Sequence, residues 1–174
     1  MPAPAPPFDD FVAARIAALS RTAYLLTGDH HLAEDLVQTT LFKAARAWHR
    51  IDGDPEPYVR RILYRENVNA WRGRRRLTEV SSGSPREYAG RGALHDAGRE
   101  TDLRLVLRDA LSRLTAKQRT VLVLRYFEDL TEAETATAMG IGHGTVKSNV
   151  RDALARLRAV APELADLTTA GVGR

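Results

Sequence analysis

Two sets of side chains in this 174-residue chain have the types and spacing to grip nucleic acid. Thr145, Lys147, Ser148, Asn149 and Arg151 cluster near the start of an amphipathic stretch whose Val146 and Val150 face the other way. Short donors and cations at one end of a helix are the groups that reach phosphates and base edges in a major groove. The second set is an arginine stripe. Between Tyr58 and Arg76 stand Arg60, Arg61, Arg65, Arg72, Arg74, Arg75 and Arg76 against one acid, Glu66. Arg61, Arg65 and Arg72 are spaced by four and seven, which puts them on one helix face; Asn69 can share it, and residues 74–76 extend it. Such a row can follow a nucleic-acid backbone, with Asn67 or Asn69 reading an exposed base. The bland alternatives are a solvated basic face for the stripe and an ordinary helical hairpin for the first set.

No catalytic constellation accompanies them. His30 and His31 with Glu34 and Asp35 could suggest a metal site, but helix-start acids beside a solvated histidine pair explain them better. His143 stands alone, Ser81, Ser82 and Ser84 have no general base nearby in sequence, and GRGAL is too short for a phosphate cradle. The chain has no cysteine, hence no disulfide, thiolate site or thiol nucleophile. We expect no enzyme, no metal and no cofactor. Glu34, Asp35 and Gln38 beside Leu36 and Val37 give a mixed surface that suits either a partner-docking face or a normal amphipathic helix.

The elements that must position these residues are helical. From Phe8, the apolar residues Phe11, Val12, Ile16, Leu19 and Ala23 keep helical spacing until Gly28. Asp29 can cap a second helix to about Trp48, with Leu32, Leu36, Leu41 and Ala44/Ala45 inward. Residues 50–54 turn the chain, and Asp54 and Pro55 open a third helix with Tyr58, Val59, Ile62 and Leu63 inward. Residues 77–101, containing SSGSP and AGRG, keep no period and read as a flexible linker that extended would span about 80 Å. Beyond it, Leu103, Val106, Leu107, Ala110, Leu111 and Leu114 resume helical spacing, and Thr115 with Gln118 and Thr131 with Glu134 make two capping boxes. A short helix to Met139, a turn at residues 140–143 and a last helix to about Val160 form a helix-turn-helix, with Val146, Val150, Leu154 and Leu157 inward. The expected fold is therefore all-α: a disordered tail at 1–7, a helical module at 8–76, the linker, a second module at 102–160 and a tail at 161–174.

Net charge is +4, yet the stripe alone is strongly basic, so a polyanion partner is expected at one place. At 44% hydrophobic residues the chain can bury cores, and no run approaches a membrane span. The N-terminus, MPAPAPPFDDF, has acids where a signal peptide would have basic residues, so we expect a cytoplasmic protein without membrane insertion.

GDHHLAEDLVQTTLFKAARAW and PEPYVRRILYRENVNAWRGRRR resemble region 2 of the extracytoplasmic-function (ECF) group of bacterial RNA polymerase sigma factors. ALSRLTAKQRTVLVLRYFEDLTEAETATAMGIGHGTVKSNVRDALARLR resembles their region 4, with LRYFEDLTEAE, GTVKS and ALARLR as anchors. The resemblance covers about residues 8–76 and 102–159, and the YVRRIL wording is similar to the actinobacterial SigE-like subgroup. It implies a subunit that binds core RNA polymerase, recognises −10 and −35 promoter elements and promotes promoter melting, the polymerase doing all the chemistry.

On the matching positions, the resemblance implies docking on the β′ clamp helices through Glu34, Asp35, Leu36 and Gln38. It assigns the −10 element to the arginine helix, with a flipped base held near residues 50–54, and the −35 groove to residues 145–151. Region 4 would also lean on the β flap, and an anti-sigma factor, which many relatives have, is a further candidate partner. Asn149 stands where many members have arginine. Trp71 stands where an Asn-x-x-x-Asp pattern starting at Asn67 would place its aspartate, so Asn67 and Asn69 remain alternative base readers. A competing reading is an autonomous LuxR-type regulator, which ends in a similar helix-turn-helix; residues 8–76 offer no glycine-rich loops or strand pattern for its receiver domain.

Overall fold

A computed structural model describes residues 5–82 and 102–162, and every element among them is helical. They divide into two compact units, split near residue 86. In the first, α1 (Phe8–Thr27), α2 (His30–Ala47) and α3 (Glu56–Ser82) pack against one another, with a 3-10 turn at Trp48–Arg50. The second contains α4 (Asp102–Ser112), α5 (Ala116–Leu122), a π-helical turn at Val123–Phe127, α6 (Glu132–Met139) and α7 (His143–Val160).

Local chemistry sets the corner between α1 and α2. Gly28 adopts φ 70°, a left-handed conformation that closes α1 through its N–H to the Tyr24 carbonyl. Asp29 then accepts from the Leu32 amide at 3.0 Å and starts α2. The bundle interior is made by Phe11, Leu19, Ala23 and Leu26 from α1, Ala33, Leu36, Val37 and Ala44 from α2, and Val59, Leu63, Tyr64 and Val68 from α3. Fully buried alanines let the helices approach closely. Ile16, Ala45 and Tyr58, which fit the apolar spacing, are exposed instead.

Two of the sequence-based boundaries change. The indole Nε1 of Trp48 donates to the Pro6 carbonyl at 2.9 Å, and the Phe8 and Phe11 rings lie 5.0 and 5.1 Å from it. Residues 5–7 of the expected disordered tail are thus pinned to the bundle by an aromatic cluster that periodicity does not reveal. Helix α3 runs to Ser82, past the expected end at Arg76, since residues 77–82 contain neither glycine nor proline to stop it. The rest of the expected linker, 83–101, and the tail from 163 onward lie outside the described residues.

The second unit is organised by caps. Thr115 with Gln118 and Thr131 with Glu134 both form complete capping boxes, and Gly140 closes α6 at φ 60°. Between α5 and α6 the register slips: Glu128 N–H donates to the Val123 carbonyl, forming the π turn, and Arg125 donates to the Leu130 carbonyl. Leu114, Val121, Leu124, Met139, Val146, Ala153 and Leu157 form the core. Val150 and Leu154, expected inward, are only half-buried.

The α6 cap sets a pH dependence. The Thr131 hydroxyl and amide donate to the Glu134 carboxylate at 2.7 and 2.8 Å and hold its pKa below the usual 4.5. A carboxyl depressed on folding contributes stability that is present above its unfolded pKa and lost as pH falls through the folded value. Glu134→Gln should lower the thermal midpoint at neutral pH, with the gap from wild type closing on acidification; a gap that stays constant in thermal melts across pH would contradict this.

Candidate nucleic-acid interface

On α3, residues 58, 61, 65, 69, 72 and 76 recur every three or four positions and form one ridge about 27 Å long. Tyr58, Arg61, Arg65, Asn69 and Arg76 are exposed and Arg72 is half-exposed, with its guanidinium 5.5 Å from the Trp71 ring. The acids nearest this helix are engaged elsewhere. Glu56 pairs with Arg15 of α1 and Arg60, both at 2.8 Å, and Glu66 pairs with Lys43 of α2 at 2.7 Å. These pairs tie α3 to its neighbours and hold the Glu56 and Glu66 carboxylates off the outer ridge.

The arginine run therefore splits in two. Arg60 belongs to the Glu56 cluster rather than to the ridge. Arg74 is half-buried near Asp29: burial pulls its pKa below the arginine norm, with the Asp29 charge opposing. Arg75 is exposed, on the flank between ridge and bundle. Asn67, one of the two candidate base readers, is 2% exposed and lies beneath the ridge. Positions 63, 64, 67 and 68 form the buried side of α3. Asn69 is the asparagine that faces outward.

On α2, Glu34, Asp35 and Gln38 are exposed, whereas Leu36 is 6% exposed and packs in the bundle. Phe42, 64% exposed with Arg46 over its ring at 5.8 Å, continues the Asp35–Gln38 face by one turn. Sequence reasoning missed it because an aromatic residue is ordinarily read as core. His30 stacks on Tyr24 at 4.9 Å.

In the second unit, α6 and α7 pack as the expected helix-turn-helix. Thr145, Lys147 and Arg151 are exposed at the N-terminal half of α7, and Ser148 is half-exposed, donating to the Thr145 carbonyl at 3.0 Å. Arg151 lies 3.3 Å from Asp152. Asn149 turns toward the flank: its Nδ2 is buried and lacks a hydrogen-bond partner among the described residues. Lys147 and His143 both reach Glu132 of α6, at 3.7 and 3.4 Å. Gly142 starts α7 without a side-chain cap. Among the described residues no helix is long and apolar enough to cross a membrane, and no three metal-ligating side chains gather.

Comparison with known proteins agrees with this two-part arrangement. The Sigma-70 region 2 family matches residues 11–77, and the Sigma-70, region 4 family matches residues 110–159. The chain is 39% identical over 153 residues to the RNA polymerase sigma-E factor of Streptomyces coelicolor, covering 87% of this chain and 84% of that one. It is 34% identical over 153 residues to the ECF RNA polymerase sigma factor SigL of Mycobacterium tuberculosis, covering 85% of each. Among solved structures it is similar to the sigma factor RpoE of Bartonella quintana, crystallised with the anti-sigma factor NepR, with a TM-score of 0.64, 29% identity and coverage of 88% and 95%. An autonomous regulator with a receiver domain would match region 4 alone, whereas here both regions are present in order. An exposed arginine ridge on one helical unit and a helix-turn-helix on the other thus have a common explanation: the chain belongs to the ECF RNA polymerase sigma factors, non-enzymatic subunits that bind core polymerase and promoter DNA and direct promoter-specific initiation of transcription.

Proposed function

We propose a division of labour among three surfaces. The ridge of Arg61, Arg65, Asn69, Arg72 and Arg76, flanked by Arg75, holds the separated −10 strand, with the turn at residues 50–54 taking a flipped base. Thr145, Lys147, Ser148 and Arg151 meet the −35 major groove, with Asn149 at the edge of that contact. Glu34, Asp35 and Gln38 dock on the β′ clamp helices, and region 4 leans on the β flap. The protein works in the cytoplasm, where an anti-sigma factor is a further candidate partner.

The observation that carries this reading is the ridge on α3, where exposed arginines and one asparagine recur along a helix whose Glu56 and Glu66 are bound on its other sides. Opening a duplex and extruding a base costs a few kcal/mol, which a row of guanidiniums on the freed strand can offset. The test is run-off transcription from a genomic promoter library, using core polymerase with and without the chain. New discrete start sites sharing two upstream elements support the reading. Their absence despite core binding would refute the assignment of the DNA surfaces.

The docking surface is tested separately. Asp35→Ala with Gln38→Ala should weaken core polymerase binding by about tenfold, the scale of losing one or two charge-assisted contacts. Titration of labelled chain with core polymerase measures it. Unchanged affinity would remove α2 from the interface.

A further inference from the structure

We propose that Glu132 acts as a brake on the sequence-independent attraction between the recognition helix and DNA. The inference rests on the reading of α7 as the −35 contact. The first turn of α6 holds two acids with different duties. Glu134 is used within its own helix, accepting from the Thr131 amide and hydroxyl to complete the capping box. Glu132 has no part in that box. Its carboxylate reaches across to the first turns of α7, with Oε2 3.7 Å from Lys147 Nζ and 3.4 Å from His143 Nε2.

Lys147 is the lysine among the exposed α7 residues read as DNA contacts, and its side chain is 64% exposed. A lysine there acts as a point charge for phosphate, whereas the Arg151 fork and the Ser148 hydroxyl suit base edges. When a phosphate approaches Lys147, either the Glu132 pair breaks or the phosphate faces a carboxylate. Both outcomes subtract from backbone attraction, and neither depends on base sequence. Because a genome offers a vast excess of non-specific sites, weakening that attraction leaves more factor free to be placed by the polymerase.

The test uses the full chain bound to core polymerase and two duplexes: one with the −35 element of a promoter fired in run-off transcription, the other with that element scrambled. Glu132→Gln should tighten binding to both by a common factor, about threefold to fivefold, the scale of an exposed ion pair. It should also steepen the salt dependence by about one unit in the log–log slope. On a Lys147→Gln background the same change should gain less, and thermal melts verify that each variant folds. Weaker binding by Glu132→Gln would overturn the brake in favour of a residue that positions Lys147, and a gain on the intact element alone would overturn it in favour of a residue that opposes base-specific contacts. A wild-type holoenzyme without preference for the intact element overturns the α7 reading beneath the proposal. A preserved preference with no gain from Glu132→Gln overturns the brake alone.

Discussion

Alanine at both Arg61 and Arg65 should reduce open-complex formation by about a hundredfold at the least, taking each charge-assisted contact at the lower end of about 1.5–3 kcal/mol and about 1.4 kcal/mol per tenfold. Both guanidiniums stand on the outer side of α3, and neither has an ion pair among the described residues. Their removal costs the bundle little while leaving two strand phosphates unmatched. Arg60→Ala supplies the contrast, because Arg60 adjoins the two but belongs to the Glu56 cluster. That change should lower stability slightly and leave strand capture close to wild type. Permanganate footprinting on a mapped promoter reads opening, and a core polymerase titration run in parallel should show no change for either variant. Loss of core binding in the Arg61/Arg65 variant would mean the ridge meets protein rather than DNA.

Arg119→Ala should unfold the second unit more readily, by about 2 kcal/mol. The Arg119 side chain is 3% exposed, and its Nη1 donates to the Leu111 carbonyl at 3.2 Å. That carbonyl is in the last turn of α4, among the groups a helix cannot satisfy internally and at the negative end of its dipole. A buried cation there joins α4 to α5. The Leu111 carbonyl keeps the Leu114 amide as a donor at 3.2 Å, so truncation removes the charged donor and leaves the buried volume of its side chain unfilled. Chemical denaturation should show the loss, and the second unit should melt at temperatures where the first unit stays folded. Wild-type stability in this variant would mean that the guanidinium is dispensable to the α4–α5 corner.

Much of this architecture is legible in the chain because it is set locally. Asp29, Thr115 with Gln118, and Thr131 with Glu134 announce helix starts through side chains that bond their own backbone within three residues, and each cap is found in the structure. Gly28 and Gly140 mark ends by tolerating a conformation that a Cβ disfavours. What is not legible depends on which way a helix rolls. Asn67 and Asn69 are equivalent as letters, yet Leu63, Tyr64 and Val68 roll the first inward and leave the second out. Leu36 is turned inward for the same reason, while Phe42 emerges as an exposed neighbour of Asp35 and Gln38. The seven arginines look alike until Glu56, a residue of the preceding turn, claims Arg60 and the Asp29 corner takes Arg74. The π turn after α5 has no periodic signature of its own, since one slipped hydrogen bond leaves the apolar spacing nearly intact.

Both tryptophans of the chain, Trp48 in the aromatic cluster that holds Pro6 and Trp71 beside the arginine ridge, belong to the first unit. The two halves of the molecule are therefore optically separable without any label. Indole emission follows the region 2 bundle and, through Trp71 under the Arg72 guanidinium, reports on that stretch of the arginine ridge. Melting of region 4 is dark in that channel and visible only in far-ultraviolet ellipticity. A denaturation curve in which the two signals part would resolve the stability of each half in the intact chain.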